Sequence, residues 1–600
     1  MALGLVVWMI TTRELKTHKY QHLFVDNIGL RLLSSQIVRS ISLPRPARLL
    51  AVGAAALTIL FAVPAGTPAR AATTSPSYVE GDISNPVVGM PPVPRPDTPS
   101  CTVALAENFP SNDANGNPQN FSGTYTPPAN CPGPWSKVVL DYTVSVSGRQ
   151  YDRSASVTVG NSTIYFGTTM EPDPDGLTYH VEKDVTEYAS LLKSSQPFSG
   201  GIGNYVSSTD NGVYVQTVTL TFYEANKANA APREPDTIVG LGAPNVDASG
   251  NSATITVPSL PRNTVRAELE IYIKGNGCDE QWFASVPTDI SNKYPGAFCP
   301  NGPYREVDAS IDGIRAGAVQ YFPYIYTGGI VPTLWRPIPA IGTFTMTPEV
   351  LDVTPLAADL DQAGGHTVTL SVPDANDVWN LAANLLLYTD SDASVITGGL
   401  TQDTVAAQAT EAVQESQPSS TTVDATTTAA RQSVLSGWVQ TPAGKVTTTV
   451  TELSAFRNAE QATTNGLYEA LQETDTGFNT THTVGAGQNW MSMHRWSYPL
   501  NMVEDIGSYV DDNNYTFSGT VQMSRILTDS VHGQGIADTS SWSKDQMSSA
   551  GEQARSNGTL TEADGHSTET WIGSYEGGVW QHQLASDHGI ITEDKSGFVH

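Results

Sequence analysis

Apolar and polar residues alternate with a two-residue period over much of this chain, the pattern of strands that bury one face. It is clearest at 138–146 (VVLDYTVSV) and 213–223 (VYVQTVTLTFY), which read as antiparallel strands. A second block follows a loop at 231–249. There Val265, Ala267, Leu269, Ile271 and Ile273 point one way from a strand, and Arg266, Glu268, Glu270, Tyr272 and Lys274 point the other. Further strands are predicted at 307–312, 366–372 and 383–389, with Asp312-Gly313 as a hairpin turn. The alternation returns at 445–451, 513–523 and 578–592.

Between these blocks the pattern weakens. Residues 107–135 are crowded with Asn, Gly and Pro and read as irregular. Residues 72–100 are rich in Pro, Ser and Thr and read as an extended tether. Residues 401–433 are dominated by Thr, Ala, Gln and Ser, with few large apolar side chains, and read as a linker or insertion. The chain is therefore expected to be all-β: two jelly-roll-like antiparallel β-sandwiches at 101–240 and 250–400, then a β-rich C-terminal region at 434–600.

Composition sharpens this picture. Six hundred residues exceed what one core accommodates, and 51 Gly with 39 Pro favour many turns over long helices. The segment 49–63 (LLAVGAAALTILFAV) is uncharged, follows Arg39, Arg45 and Arg48, and leads into Ala69-Arg70-Ala71. Those are the three parts of a secretory signal, so residues 1–71 are expected to be a leader and the mature protein to be secreted. About 15 apolar residues is short for a retained membrane span, and no stable membrane association is expected. Beyond residue 71 the chain carries 23 basic and 58 acidic residues, a charge of −35 that disfavours nucleic acid and suits a neutral partner. Cys101, Cys131, Cys278 and Cys299 permit three pairings, of which sequence proximity favours 101 with 131 and 278 with 299.

Two acids stand at strand edges with an Arg and an aromatic beside them. Asp152 lies between Tyr151 and Arg153, neighbours suited to managing its charge, although an ordinary surface ion pair reads the same way. Glu306 follows Tyr304-Arg305 and opens a predicted strand, so its carboxylate would be firmly held, although an edge-strand Glu facing solvent reads the same way and is favoured on these residues alone. Glu171 precedes a proline, and Glu280 follows Cys278-Asp279 near Trp282. Trp335 and Arg336 supply an indole for stacking and a guanidinium for hydroxyls, with core packing the alternative for the tryptophans. No H-E-x-x-H, EF-hand, Walker, Rossmann or G-x-S-x-G pattern occurs, so no metal or cofactor is expected, and hydrolysis would fall to carboxylates acting on water.

The stretches 148–153 (GRQYDR), 181–186 (VEKDVT), 302–307 (GPYREV), 325–330 (IYTGGI), 334–338 (LWRPI) and 437–439 (GWV) closely resemble the peptide N-glycosidase A type of amidase. The resemblance implies hydrolysis of the amide between Asn and the first N-acetylglucosamine of an N-glycan, which converts Asn to Asp. N-glycosylated peptides or glycoproteins would be the partners, met by a monomer. It implies Asp152 as the essential acid, with Glu306 assisting or Glu280 in its place. Arg153, Arg305, Glu171, Trp282, Trp335 and Arg336 would bind substrate. A glycan-binding β-sandwich without catalysis is the alternative, using the same Trp and Arg residues without needing both acids. A glycosidase cutting between sugars is a third reading.

Overall fold

Every strongly alternating segment forms a strand in the computed structural model, which describes residues 78–172, 175–511 and 513–599. The segment 1–71, expected to be a secretory leader, lies outside the described residues. No helix among the described residues is long and apolar enough to cross a membrane.

The first sandwich packs two four-stranded antiparallel sheets. One runs Ser100–Pro110, Val215–Glu224, Trp135–Val146, Leu177–Asp184, and the other Phe121–Tyr125, Gln196–Ile202, Ser154–Val159, Ser162–Thr168. Tyr142, Tyr165, Val157, Leu220 and Phe222 fill the space between them. One of these strands, Phe121–Tyr125, lies within 107–135, which was expected to be irregular, and the end of Ser100–Pro110 runs into it. Most of the Asn and Gly residues there form the connections, while Phe121–Tyr125 begins and ends on the buried anchors Phe121 and Tyr125.

The second sandwich begins earlier than the composition indicated, because Thr237–Gly242 pairs with Trp379–Thr389. That sheet also holds Asn245–Val246, Thr264–Gly275 and Glu349–Asp352. Its partner sheet runs Ser252–Val257, His366–Ser371, Glu306–Ile311, Ile314–Gln320. Asp312 and Gly313 form the expected hairpin, both at positive φ (51° and 81°), as a two-residue turn matching strand twist requires. Disulfides join Cys101 to Cys131 and Cys278 to Cys299.

The polar face of Thr264–Gly275 is buried against the first sandwich. Tyr188 donates its hydroxyl to Glu270 at 2.9 Å, Lys183 donates to the Tyr272 hydroxyl, and Asn384 donates to the Thr163 carbonyl at 2.8 Å. Backbone bonds Thr168 N–H to Thr343 carbonyl and Met346 N–H to Phe166 carbonyl continue the contact, which Gly167 permits: a Cβ there would lie 2.2 Å from the Phe344 carbonyl oxygen. The two sandwiches thus meet through hydrogen-bonded polar groups, which hold their loops in fixed relation.

The C-terminal region is one eleven-stranded antiparallel sheet from Thr397–Asp403 to Ile590–Phe598. Its longest strand, Gln488–Asp511, has 24 residues and spans about 80 Å. The segment 401–433 belongs to this sheet as Thr410–Ser419 and the first half of Thr422–Thr441, which corrects its reading as a linker. Val423, Ala425, Thr427, Ala429, Arg431 and Ser433 are buried at every second position. Small side chains suffice there because Val423 and Ala425 meet Val286, Ile290 and Phe298 of the second sandwich.

Candidate active site

Tyr151, Asp152 and Arg153 occupy the turn between Trp135–Val146 and Ser154–Val159. The buried Tyr214 hydroxyl lies 2.7 Å from the Tyr151 carbonyl and 3.0 Å from that of Met170, so it ties this turn to the one carrying Glu171. Arg153 and Thr169 reinforce the tie with two hydrogen bonds, each of 2.9 Å. The Arg153 guanidinium is aimed by Gln150 Oε1 at 2.5 Å and Asn204 Oδ1 at 3.2 Å. Asn204 is itself fully buried and donates to Asn112 Oδ1 and the Gly212 carbonyl.

The second sandwich closes the site from the other side. Gly328 N–H donates to Asp152 Oδ2 at 3.2 Å, and Glu171 N–H donates to the Thr327 hydroxyl at 3.0 Å. A Cβ on Gly328 would lie 2.5 Å from Glu171 Oε1 and 3.5 Å from Asp152 Oδ1, so both acids rest against this glycine. A cavity of about 300 Å³ opens beside Asp152. Tyr151, Asp152 and Arg153 line one wall, and Lys274, Asn276, Glu280 and Tyr326 line the other. Glu280 projects from the 3₁₀ turn Gly277–Ala284, which is pinned by the Cys278–Cys299 bridge, by Cys278 N–H on Asp377 Oδ2 at 3.0 Å, and by buried Trp282 and Phe283.

Burial governs the protonation of these groups. It raises the Asp152 carboxyl above the usual range, against the Gly328 N–H, Lys274 and Arg153. Glu171 is pushed up to about 8 by burial and then by the Asp152 charge, with Arg336 the strongest opposing cation. Two interacting carboxyls in such a place resist joint ionisation, so Glu171 keeps its proton at neutral pH. Burial lowers Lys274, and Glu280 and Asp152 oppose that shift. Its ammonium lies 2.5 Å from Asn276 Oδ1 and 4.9 Å from the Tyr326 ring centre. The arrangement can store a proton, polarise a bound water and place a fixed guanidinium beside developing negative charge.

Of the residues singled out in the sequence, Asp152, Arg153, Glu171 and Glu280 come together here, and Arg336 stands behind Glu171 at 3.6 Å. Glu306 does not. It is buried toward the C-terminal sheet, where Arg431 grips it at 2.5 and 2.9 Å and Tyr304 donates to it at 2.7 Å. Arg305 is locked on Asp279 and on backbone carbonyls of its own loop. Trp282 packs among Phe283, Tyr321 and Phe456, and Trp335 is buried with its indole N–H on the Gly329 carbonyl, so neither presents a stacking face to the cavity. Lys274, Asn276, Tyr326, Asn204 and Gly328 were not singled out individually. The only signal for Lys274 was its place at the end of the polar face of its strand.

Among the described residues, one group with metal-ligand spacing occurs, Asp141, His180 and Glu182. Arg95 already bonds Asp141 at 2.7 Å and Glu182 at 2.9 Å, which supplies that group's cation.

Two abutting β-sandwiches with an acid-lined pocket between their loops, backed by a long antiparallel sheet, define the class of protein. The chain belongs to the peptide N-acetyl-beta-D-glucosaminyl asparaginase amidase A family, whose model matches residues 90–406. It is 33% identical over 347 residues to the peptide-N4-(N-acetyl-beta-glucosaminyl)asparagine amidase A of Prunus dulcis, a match covering 54% of this chain and 60% of the relative's length. Among solved structures it is similar to PNGase F, a glycosylasparaginase from Flavobacterium meningosepticum. That likeness has 13% identity and a TM-score of 0.32 over 49% of this chain and 97% of the other. PNGF-II gives 13% identity and a TM-score of 0.36 over 48% of this chain and 66% of the other. Both likenesses are too loose to transfer a residue.

Proposed function

We propose that this protein hydrolyses the amide joining an asparagine side chain to the first N-acetylglucosamine of an N-glycan. Water adds to the side-chain carbonyl carbon, the C–N bond breaks, the peptide keeps an aspartate, and the glycan leaves as a glycosylamine that later loses ammonia. Asp152 draws the proton from the attacking water, Glu280 protonates or orients the departing nitrogen from the facing wall, and Arg153 stabilises charge on the carbonyl oxygen. Glu171, protonated beside Asp152, modulates its charge. The observation that carries this reading is the convergence of Asp152 and Glu280, from different sandwiches, on one cavity in a chain of this family. The leader pattern and the two disulfides support action outside the cell on exported glycopeptides or glycoproteins.

The test is incubation with an N-glycosylated peptide followed by mass analysis. The wild-type protein is expected to yield a sugar-free peptide carrying Asp in place of Asn. Asp152→Asn is expected to lose this conversion while keeping its circular dichroism and melting curve. Full turnover by Asp152→Asn, a peptide that retains its first sugar, or binding without cleavage would overturn the proposal.

A further inference from the structure

The segment 78–93 belongs to neither sandwich, yet it is not a free tether. Tyr78 stacks on His588 with ring centres 4.0 Å apart, and Val79 forms a parallel bridge with Ala563. Glu80 N–H bonds the Ala563 carbonyl at 2.8 Å and Ser84 N–H bonds that of Gly589 at 2.9 Å. Further on, Gly89 N–H donates to Glu569 and Val93 N–H to Glu182, which carries the strap from the C-terminal sheet onto the first sandwich.

Along this path the Glu80 carboxylate reaches Arg336. Arg336 Nη1 lies 3.5 Å from Glu80 Oε2, and its Nη2 lies 3.6 Å from Glu171 Oε2. The three side chains are only 4%, 18% and 10% exposed. Both contacts are longer than the 2.7–2.9 Å or so of a committed guanidinium–carboxylate bond, so the cation stands between two carboxyl groups without closing on either. Glu171 passes this arrangement to the site, because it shares Gly328 with Asp152.

We propose that Glu80 is a positioning residue for the pocket: by holding Arg336 off Glu171, the strap sets how readily Glu171 keeps its proton beside Asp152. The proposal rests on the amidase reading of that pocket. The charged and titratable groups facing Glu171 are Asp152, Arg336, Arg149 and Arg153 with the phenols of Tyr151 and Tyr214, and Glu80 is the anion opposite Arg336. Removing the Glu80 charge lets Arg336 close on Glu171 and removes a nearby negative charge. Both effects favour the ionised form of Glu171.

The experiment compares wild type, Glu80→Gln, Glu80→Asp and Ser84→Ala by kcat and KM on one N-glycosylated peptide across the acid-to-alkaline range. Ser84→Ala removes a hydroxyl that accepts from Ile591 N–H, loosening the strap without changing charge. The alkaline limb of Glu80→Gln is expected to move about half a pH unit or more toward acid, with KM little changed. Glu80→Asp should fall between it and wild type, and Ser84→Ala should keep the wild-type limb. Should Glu80→Gln not fold, the Glu80→Asp shift carries the test. A folded Glu80 variant whose profile superimposes on wild type, even with a lower melting temperature, overturns the positioning role alone. An inactive wild type overturns the amidase reading and this proposal with it.

Discussion

Asp152 and Glu171 both lie against Gly328, whose missing side chain leaves room for the Glu171 carboxyl. Gly328→Ala should push an acid out of place and lower kcat by about 10²-fold, with a melting temperature near wild type; unchanged kcat would contradict the packing described. Glu171 is raised to about 8, so it is protonated at neutral pH and ionises as the pH climbs through that value. If the Glu171 proton supports turnover, kcat should fall as pH rises past about 8, and Glu171→Gln, which cannot ionise, should lose that limb. Glu306 sits in another context. Arg431→Ala would strand its buried carboxylate, at a cost of about 3–5 kcal/mol read by denaturant unfolding, with kcat unchanged wherever the protein stays folded. The Tyr151-Asp152-Arg153 context was legible in the sequence because its neighbours are local. Glu306 was misjudged because its partner lies 125 residues away, on a strand whose register no local pattern reveals.

At the scale of elements, alternation was a sound guide where it was written in Val, Ile, Leu and aromatic residues. Within 401–433 the same alternation is written in Thr and Ala, so composition hid it. Adjacent alanines separate the two readings: Ala429 is buried and Ala430 is exposed. Ala429→Glu should destabilise the protein by about 3 kcal/mol or more and Ala430→Glu by no more than about 0.5; equal, small effects would restore the linker reading. Thr264–Gly275 teaches the opposite lesson. Its two faces were plain in the sequence, yet the polar one meets a second domain rather than water, which Tyr188 and Lys183 make possible. That burial is also what put Lys274 at the pocket wall without an obvious local signal.

For the whole molecule, the buried acids set a direction for stability against pH. Glu460 is raised to about 8, and Glu504 and Asp545 to about 7, while Glu469 and Glu569 lie well above the usual carboxylate value, all chiefly through burial. Their unfolded values lie near 4, so the native state binds more protons. Stability from this group is greatest at acid pH and is lost as pH rises from about 4 through the folded values. Lowered groups such as Asp236 and Asp312 act oppositely but are more exposed. Calorimetry should show a melting temperature that declines from mildly acid to mildly alkaline solution; a rise would refute this balance. The central claim, that acids of two sandwiches meet one sugar–amide linkage, is tested most directly by a crystal structure of Asp152→Asn bound to an N-glycosylated peptide. The account predicts the scissile amide in the pocket between residues 152 and 280. A glycan seated instead in the separate cavity of about 520 Å³ near Trp496, with that pocket vacant, would contradict it.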